Sequence, residues 1–189
     1  ITRIKKTIPE NVQLIVVSKT KPNSAIMEAY NSGHRIFGEN KVQELTGKFE
    51  SLPKDIEWHM IGHLQSNKVK FIAPFVKLIH GVDSLSLLVE INKQATKNNR
   101  IIDVLLQFHI ATEETKFGLS ITEANELLAH PDFDLLQNIR IIGVMGMASF
   151  SDDINLVRQE FRSLKKHFDF LKSTKFKSSD YFTELSMGM

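Results

Sequence analysis

Apolar residues along the chain follow two rhythms. Short unbroken blocks, beginning with Leu14, Ile15, Val16 and Val17, read as strands buried on both faces, as in a parallel sheet covered by helices. Between the blocks lie longer segments whose apolar positions recur every three or four residues, the spacing of an amphipathic helix. The pattern predicts strands at Leu14 to Val17, Arg35 to Phe37, Glu57 to Ile61, Lys77 to Ile79, Asp103 to Phe108, Arg140 to Val144 and Tyr181 to Leu185. It predicts helices at Ser24 to Asn31, stopped near Gly33, and at Lys41 to Phe49, Ser66 to Ala73, Leu85 to Asn98, Thr122 to His130 and Ile154 to Leu171.

Strands alternating with helices imply an α/β protein with a parallel sheet, either doubly wound or closed into an eight-stranded barrel. Two features favour a (β/α)8 TIM barrel. The units follow one another without a shift in composition. Polar or glycine-containing residues recur just after the strands, at Lys19, Gly38 to Asn40, Gly62 and His63, Gly81 to Asp83, His109, Gly146 and Ser186. Active sites of such barrels lie at that end. The seventh strand falls close to the last residue, so the eighth is expected to be missing from this chain. No low-complexity segment, repeat or Ser/Gly linker divides the sequence, and one domain over residues 1–189 is expected.

Composition narrows the function. The 189 residues, 42% hydrophobic and 24% charged, suit an ordinary soluble globular protein. A formal charge of +2, with Lys and Arg scattered along the chain, gives no footprint for nucleic acid or a membrane surface. The absence of cysteine excludes disulfides, thiolate catalysis and cysteine-ligated zinc. No stretch approaches the ~20 apolar residues that span a bilayer, and the first residues carry no signal-peptide core. A cytoplasmic location is expected.

Candidate chemistry starts with "SKTK", where Lys19 and Lys21 follow a buried strand. A strand-end lysine can form an imine with a carbonyl compound if its amine is neutral often enough, and a second cation on the same side of an extended strand favours that. Solvation of the strand end before Pro22, placed to begin a helix, explains the same residues. In "FGENKVQE", Asn40 caps the next helix or turns its amide to a ligand. "EWHMIGHLQSNK" contributes His59 within a strand and His63 after it. Their spacing spans a strand and a turn with no carboxylate ligand behind it, so buried histidines bonded to their neighbours are expected in place of a metal site. Glu113, Glu114 and Lys116 read as a solvated charged turn ending in Gly118, and Met145 and Met147 as packing. Ser186 and Gly188 are small residues whose backbone amides could approach a phosphate.

Taken in order, "VVSKTKP", "FGENKVQE", "WHMIGHLQSNKVK", "EETKFGL", "GVMGMASF" and "LSMGM" resemble the pyridoxal phosphate homeostasis protein family, also called proline synthetase co-transcribed proteins. The resemblance covers essentially the whole chain. It implies a barrel of the alanine racemase N-terminal type, with pyridoxal 5′-phosphate (PLP) joined as an imine to Lys19. It also implies that Asn40 is a cofactor-side residue and that Ser186, Gly188 and Met189 begin a phosphate-binding turn. Family members continue past "SMGM" with a further helix and strand, and they carry a longer N-terminal helix, so truncation at both ends is expected. The resemblance further implies a protein of intracellular vitamin B6 homeostasis with no turnover of its own, a monomer or weak dimer, with PLP-dependent apoenzymes as possible recipients. A PLP-dependent amino-acid racemase and a barrel aldolase with an imine-forming lysine stand as alternatives.

Overall fold

A computed structural model describes residues 1–112 and 117–188. Glu113, Glu114, Lys116 and Met189 lie outside the described residues. Seven strands, β1 (Val16–Val17), β2 (Ile36–Glu39), β3 (Glu57–Met60), β4 (Leu78–Val82), β5 (Ile102–Phe108), β6 (Ile139–Met147) and β7 (Glu184–Gly188), form one sheet in sequential order. Every neighbouring pair is parallel. This order decides between the two expected architectures, because a doubly wound sheet reverses direction at a switch point. The connecting helices are α1 (Thr2–Lys5), α2 (Asn23–Asn31), α3 (Val42–Ser51), α4 (Val69–Ile72), α5 (Leu85–Lys97), α6 (Ile121–Ala129) and α7 (Ile154–Ser173).

The sheet curls. His80 on β4 and Ser186 on β7 are joined by a hydrogen bond of 3.0 Å, whereas strands three places apart in a flat sheet would be separated by roughly 14 Å. Curling gives each strand an inner and an outer face. Outward residues Phe37, Trp58, Met60, Ile79, Val104 and Leu106 pack against Ile26, Leu45, Ile72, Leu88 and Leu164 of the helices. Inward residues Leu78, Leu105 and Met145, with Ile142 and Met147, form a smaller inner cluster. The methionines fill space there, as expected from their adaptable side chains. Three of the helices begin at side-chain caps: Ser84 caps α5, Ser120 and Glu123 form a capping box on α6, and Asp153 accepts from two amides of α7.

Several expected boundaries move. Strand β1 pairs only at Val16 and Val17, while β4, β6 and β7 run further than expected, to Val82, Met147 and Gly188. Glycines taken as strand breakers therefore lie inside strands. Gly143, already expected inside β6, shows how a strand can require glycine: a Cβ at that position would fall 1.8 Å from the Glu184 carbonyl oxygen, so the β6–β7 pairing needs a residue without a side chain. Pro22 precedes the first residue of α2 instead of occupying it. The single helix expected over Ser66 to Ala73 is a 3-10 turn at Ser66–Lys68 followed by the short α4.

Candidate functional site

Parallel register carries the residues after each strand to one end of the sheet. Val17 pairs with Gly38 and Glu39 with Met60, so Lys19, Asn40 and Gly62 occupy successive positions on the rim. The backbone is crowded here, since a Cβ on Gly62 would meet the Asn40 carbonyl oxygen at 2.6 Å.

Lys19 sits in a tight turn. The Lys21 amide donates to the Ser18 carbonyl at 3.0 Å, and Thr20 adopts φ 63°, a left-handed conformation that favours glycine. The extended geometry that would align Lys19 with Lys21 is therefore absent, because the chain turns between them. Lys19 is half-buried and Lys21 is exposed. Among the described residues the Lys19 ammonium makes no hydrogen bond or ion pair, and neither does the Asn40 amide. Asn40 does not cap α3, which starts from an uncapped Lys41.

Behind this turn lies a charged network that links β1, β2 and α3. Lys48, almost fully buried on α3, donates to the Ser18 carbonyl at 2.8 Å, to Glu39 Oε1 at 2.7 Å and to Glu44 Oε1 at 2.6 Å. The Ser18 hydroxyl donates to Glu39 Oε1 at 2.6 Å, and the Thr20 amide donates to Glu44 Oε1 at 2.7 Å. The Lys48 hydrogen bond holds the Glu44 carboxyl below the usual range. Glu39 is fully buried, and among the described residues its Oε2 has no hydrogen-bond partner.

A second polar chain crosses the interior. His59 Nδ1 lies 3.0 Å from His80 Nε2, and His80 Nδ1 lies 3.0 Å from Ser186 Oγ. Burial pushes His59 down to about 4, with a smaller push from Lys77, and His80 down to about 3, with a smaller push from His59. Both rings are neutral at pH 7, so each carries a single N–H, and one of the two facing nitrogens donates to the other. The expected partnering of His59 with neighbours is present. Among the described residues no three His, Asp or Glu side chains gather as a metal set.

Ser186 and Gly188 are not on a turn. They pair with Met145 and Met147 inside β7, where their peptide groups belong to the strand ladder, and the Ser186 hydroxyl is engaged by His80. β7 thus runs three residues past its expected end at Leu185, kept in register by the long β6. Elsewhere on the rim, His63 stacks on Phe117 with ring centroids 4.4 Å apart and approaches Asp83 at 4.0 Å. Glu160 of α7 accepts from the Ser149 hydroxyl at 2.6 Å and from the Thr112 amide at 3.1 Å, tying together the loops after β5 and β6.

Sequence reasoning missed His80, Glu44, Lys48 and Glu160. His80 shares the inward face with Leu78, but β4 is buried along its whole length, so no alternation marks it in the sequence. Glu44 and Lys48 look on paper like an ordinary surface i,i+4 pair, and nothing local reveals that Lys48 turns inward.

The chain matches the family model described as "Alanine racemase, N-terminal domain" over residues 1–183. It is 40% identical over 179 residues to the pyridoxal phosphate homeostasis protein of Aquifex aeolicus, spanning 94% of this chain and 76% of that one. The chain belongs to the pyridoxal phosphate homeostasis protein family. PipY of Synechococcus elongatus, solved without PLP, shares its fold at a TM-score of 0.90 and 33% identity, covering 100% of this chain and 86% of that one. The same protein with PLP bound gives a TM-score of 0.86 at 33% identity, with the same coverage. An alanine racemase of Clostridium difficile, 12% identical with a TM-score of 0.75 over 99% of this chain and 51% of that one, extends the likeness of fold alone. Family membership and fold thus agree on a barrel of the alanine racemase N-terminal type.

Proposed function

We propose that this chain binds pyridoxal 5′-phosphate through Lys19 and serves in intracellular vitamin B6 homeostasis, holding and releasing the cofactor without turning over a substrate. The observation that carries this reading is the half-buried Lys19 amine, unpartnered among the described residues, at the functional end of the first strand. Membership of the family and the PLP-bound structure of PipY support it.

The residues present fit an aldehyde-bearing aromatic phosphate. Lys19 supplies a primary amine, and Asn40 beside it supplies an amide free to orient a ring substituent. When bound, the cofactor presents an aldehyde carbon to which the amine adds, forming a C=N bond and releasing water. Ser186, Gly188 and Met189 are the proposed phosphate-side residues in this reading, with His80 fixing the Ser186 hydroxyl. PLP-dependent apoenzymes are the proposed recipients.

Borohydride reduction of the PLP-loaded protein followed by peptide mass mapping tests the assignment. The expected result is a single adduct on Lys19, with the imine absorbance lost in Lys19→Ala while the fold persists. An adduct confined to another lysine overturns it. A racemase is the second reading, favoured by one observation: His63 stands on the rim, partly exposed and close to Asp83.

A further inference from the structure

We propose that Glu44 and Lys48 are positioning residues that clamp the backbone on both sides of Lys19 and so aim its amine. The inference rests on Lys19 being the PLP-bonding lysine. Two peptide groups bound that residue, and α3 holds both. The carbonyl of the Ser18–Lys19 peptide accepts from the Lys48 ammonium at 2.8 Å, and the amide of the Lys19–Thr20 peptide donates to the Glu44 carboxylate at 2.7 Å. The clamp is closed on itself, because Lys48 also donates to Glu44 at 2.6 Å, one helical turn away. Lys48 spends its third proton on Glu39, which accepts the Ser18 hydroxyl as well.

Thr20 supplies an independent reason to read this as positioning. A β-branched residue at φ 63° is held against its own preference, and such outliers persist only where the surroundings over-determine them. If Thr20 relaxed to negative φ, the turn after Lys19 would open and the Lys19–Thr20 peptide would be free to reorient away from Glu44. A buried ion pair is not by itself a device for stability, since apolar residues of similar volume often serve better. Here the charges stand where one carbonyl needs a donor and one amide needs an acceptor.

The test compares wild type with Glu44→Ala, Glu44→Gln and Lys48→Met through two readouts. Hydrogen exchange of the Thr20 amide reports the clamp without cofactor. The rate and site of borohydride-trapped PLP addition report the aim of the amine. In Glu44→Ala the Thr20 amide is expected to exchange at least ~10-fold faster with the β5 amides unchanged, and trapping at Lys19 to slow by ~10-fold with Lys21 sharing the label. Glu44→Gln, which keeps an acceptor oxygen, is expected to recover most of both. Glu44 is 24% exposed, so its variants decide the matter even if Lys48→Met does not fold. Unchanged Thr20 exchange in Glu44→Ala, or faster exchange with Lys19 labelled at the wild-type rate and selectivity, overturns this inference alone. A wild-type adduct on another lysine overturns the cofactor reading, and the aiming role falls with it whatever the exchange shows.

Discussion

His59 and His80 face each other inside the sheet, and their neutrality makes stability depend on pH. Burial lowers them to about 4 and about 3 in the fold, against an ordinary value of 6.5. Below pH 6.5 the unfolded chain takes up protons that the folded chain refuses, so acid favours unfolding. The contribution is fully present above pH 6.5 and is lost as pH falls toward 4 and then 3. By pH 5 the loss is on the order of 2 kcal/mol for each histidine. Urea denaturation at pH 7.5 and pH 5 should show this loss in wild type and a flatter dependence in His80→Gln. Equal slopes would show that the pair does not titrate with unfolding. The two histidines also show what a sequence reveals at this scale. His59 was legible because it lies in a motif rich in polar residues. His80 was not, because it sits in a run buried on both faces where only the curl of the sheet brings it against His59 and Ser186. Lys48 was hidden for a different reason: with Glu44 it reads as an ordinary i,i+4 surface pair, and its burial depends on β1 and β2 arriving behind it.

Secondary elements were legible as to type and order, and less so as to where strands end. Helix α7, expected over Ile154 to Leu171, ends two residues later at Ser173. The strands were ended at the polar or glycine-containing stretches that follow them, yet glycine, which weakens an isolated strand, is required where a neighbour comes too close for a side chain. Ser186 and Gly188 were misplaced by this effect, since ending β7 at Leu185 turned ladder residues into a loop. The same geometry makes Gly143 a sharp test of the β6–β7 pairing. A Cβ placed 1.8 Å from the Glu184 carbonyl oxygen meets backbone, which cannot swing aside as a flexible side chain would. Gly143→Ala should cost about 3 kcal/mol, at the upper end of overpacking effects. It should also speed amide exchange along Glu184–Gly188 more than along β5. A variant with wild-type stability and a protected β7 would mean that the strands are not paired in this register.

At the scale of the whole molecule, the curled sheet separates groups by end and by face, and that separation bears on whether the protein is a carrier or an enzyme. Racemisation takes a proton from one face of the substrate and returns one from the other, so two acid/base groups must flank the reacting carbon. In the proposed reading Lys19 serves one face. Tyr30 cannot serve the other, because it sits on α2 with its hydroxyl donating to Asp55 at 2.8 Å. Tyr181 precedes β7 at the opposite end, its ring 5.6 Å from the Arg140 guanidinium. His59 and His80 are buried and occupied with each other. His63 has the exposure and the place on the rim, yet its ring is stacked on Phe117, which limits its reach. The PLP-loaded protein in heavy water should therefore exchange the α-proton of free amino acids no faster than PLP alone. Rapid exchange with loss of optical activity, abolished by His63→Ala, would instead identify His63 as the second acid/base group and make the protein a racemase.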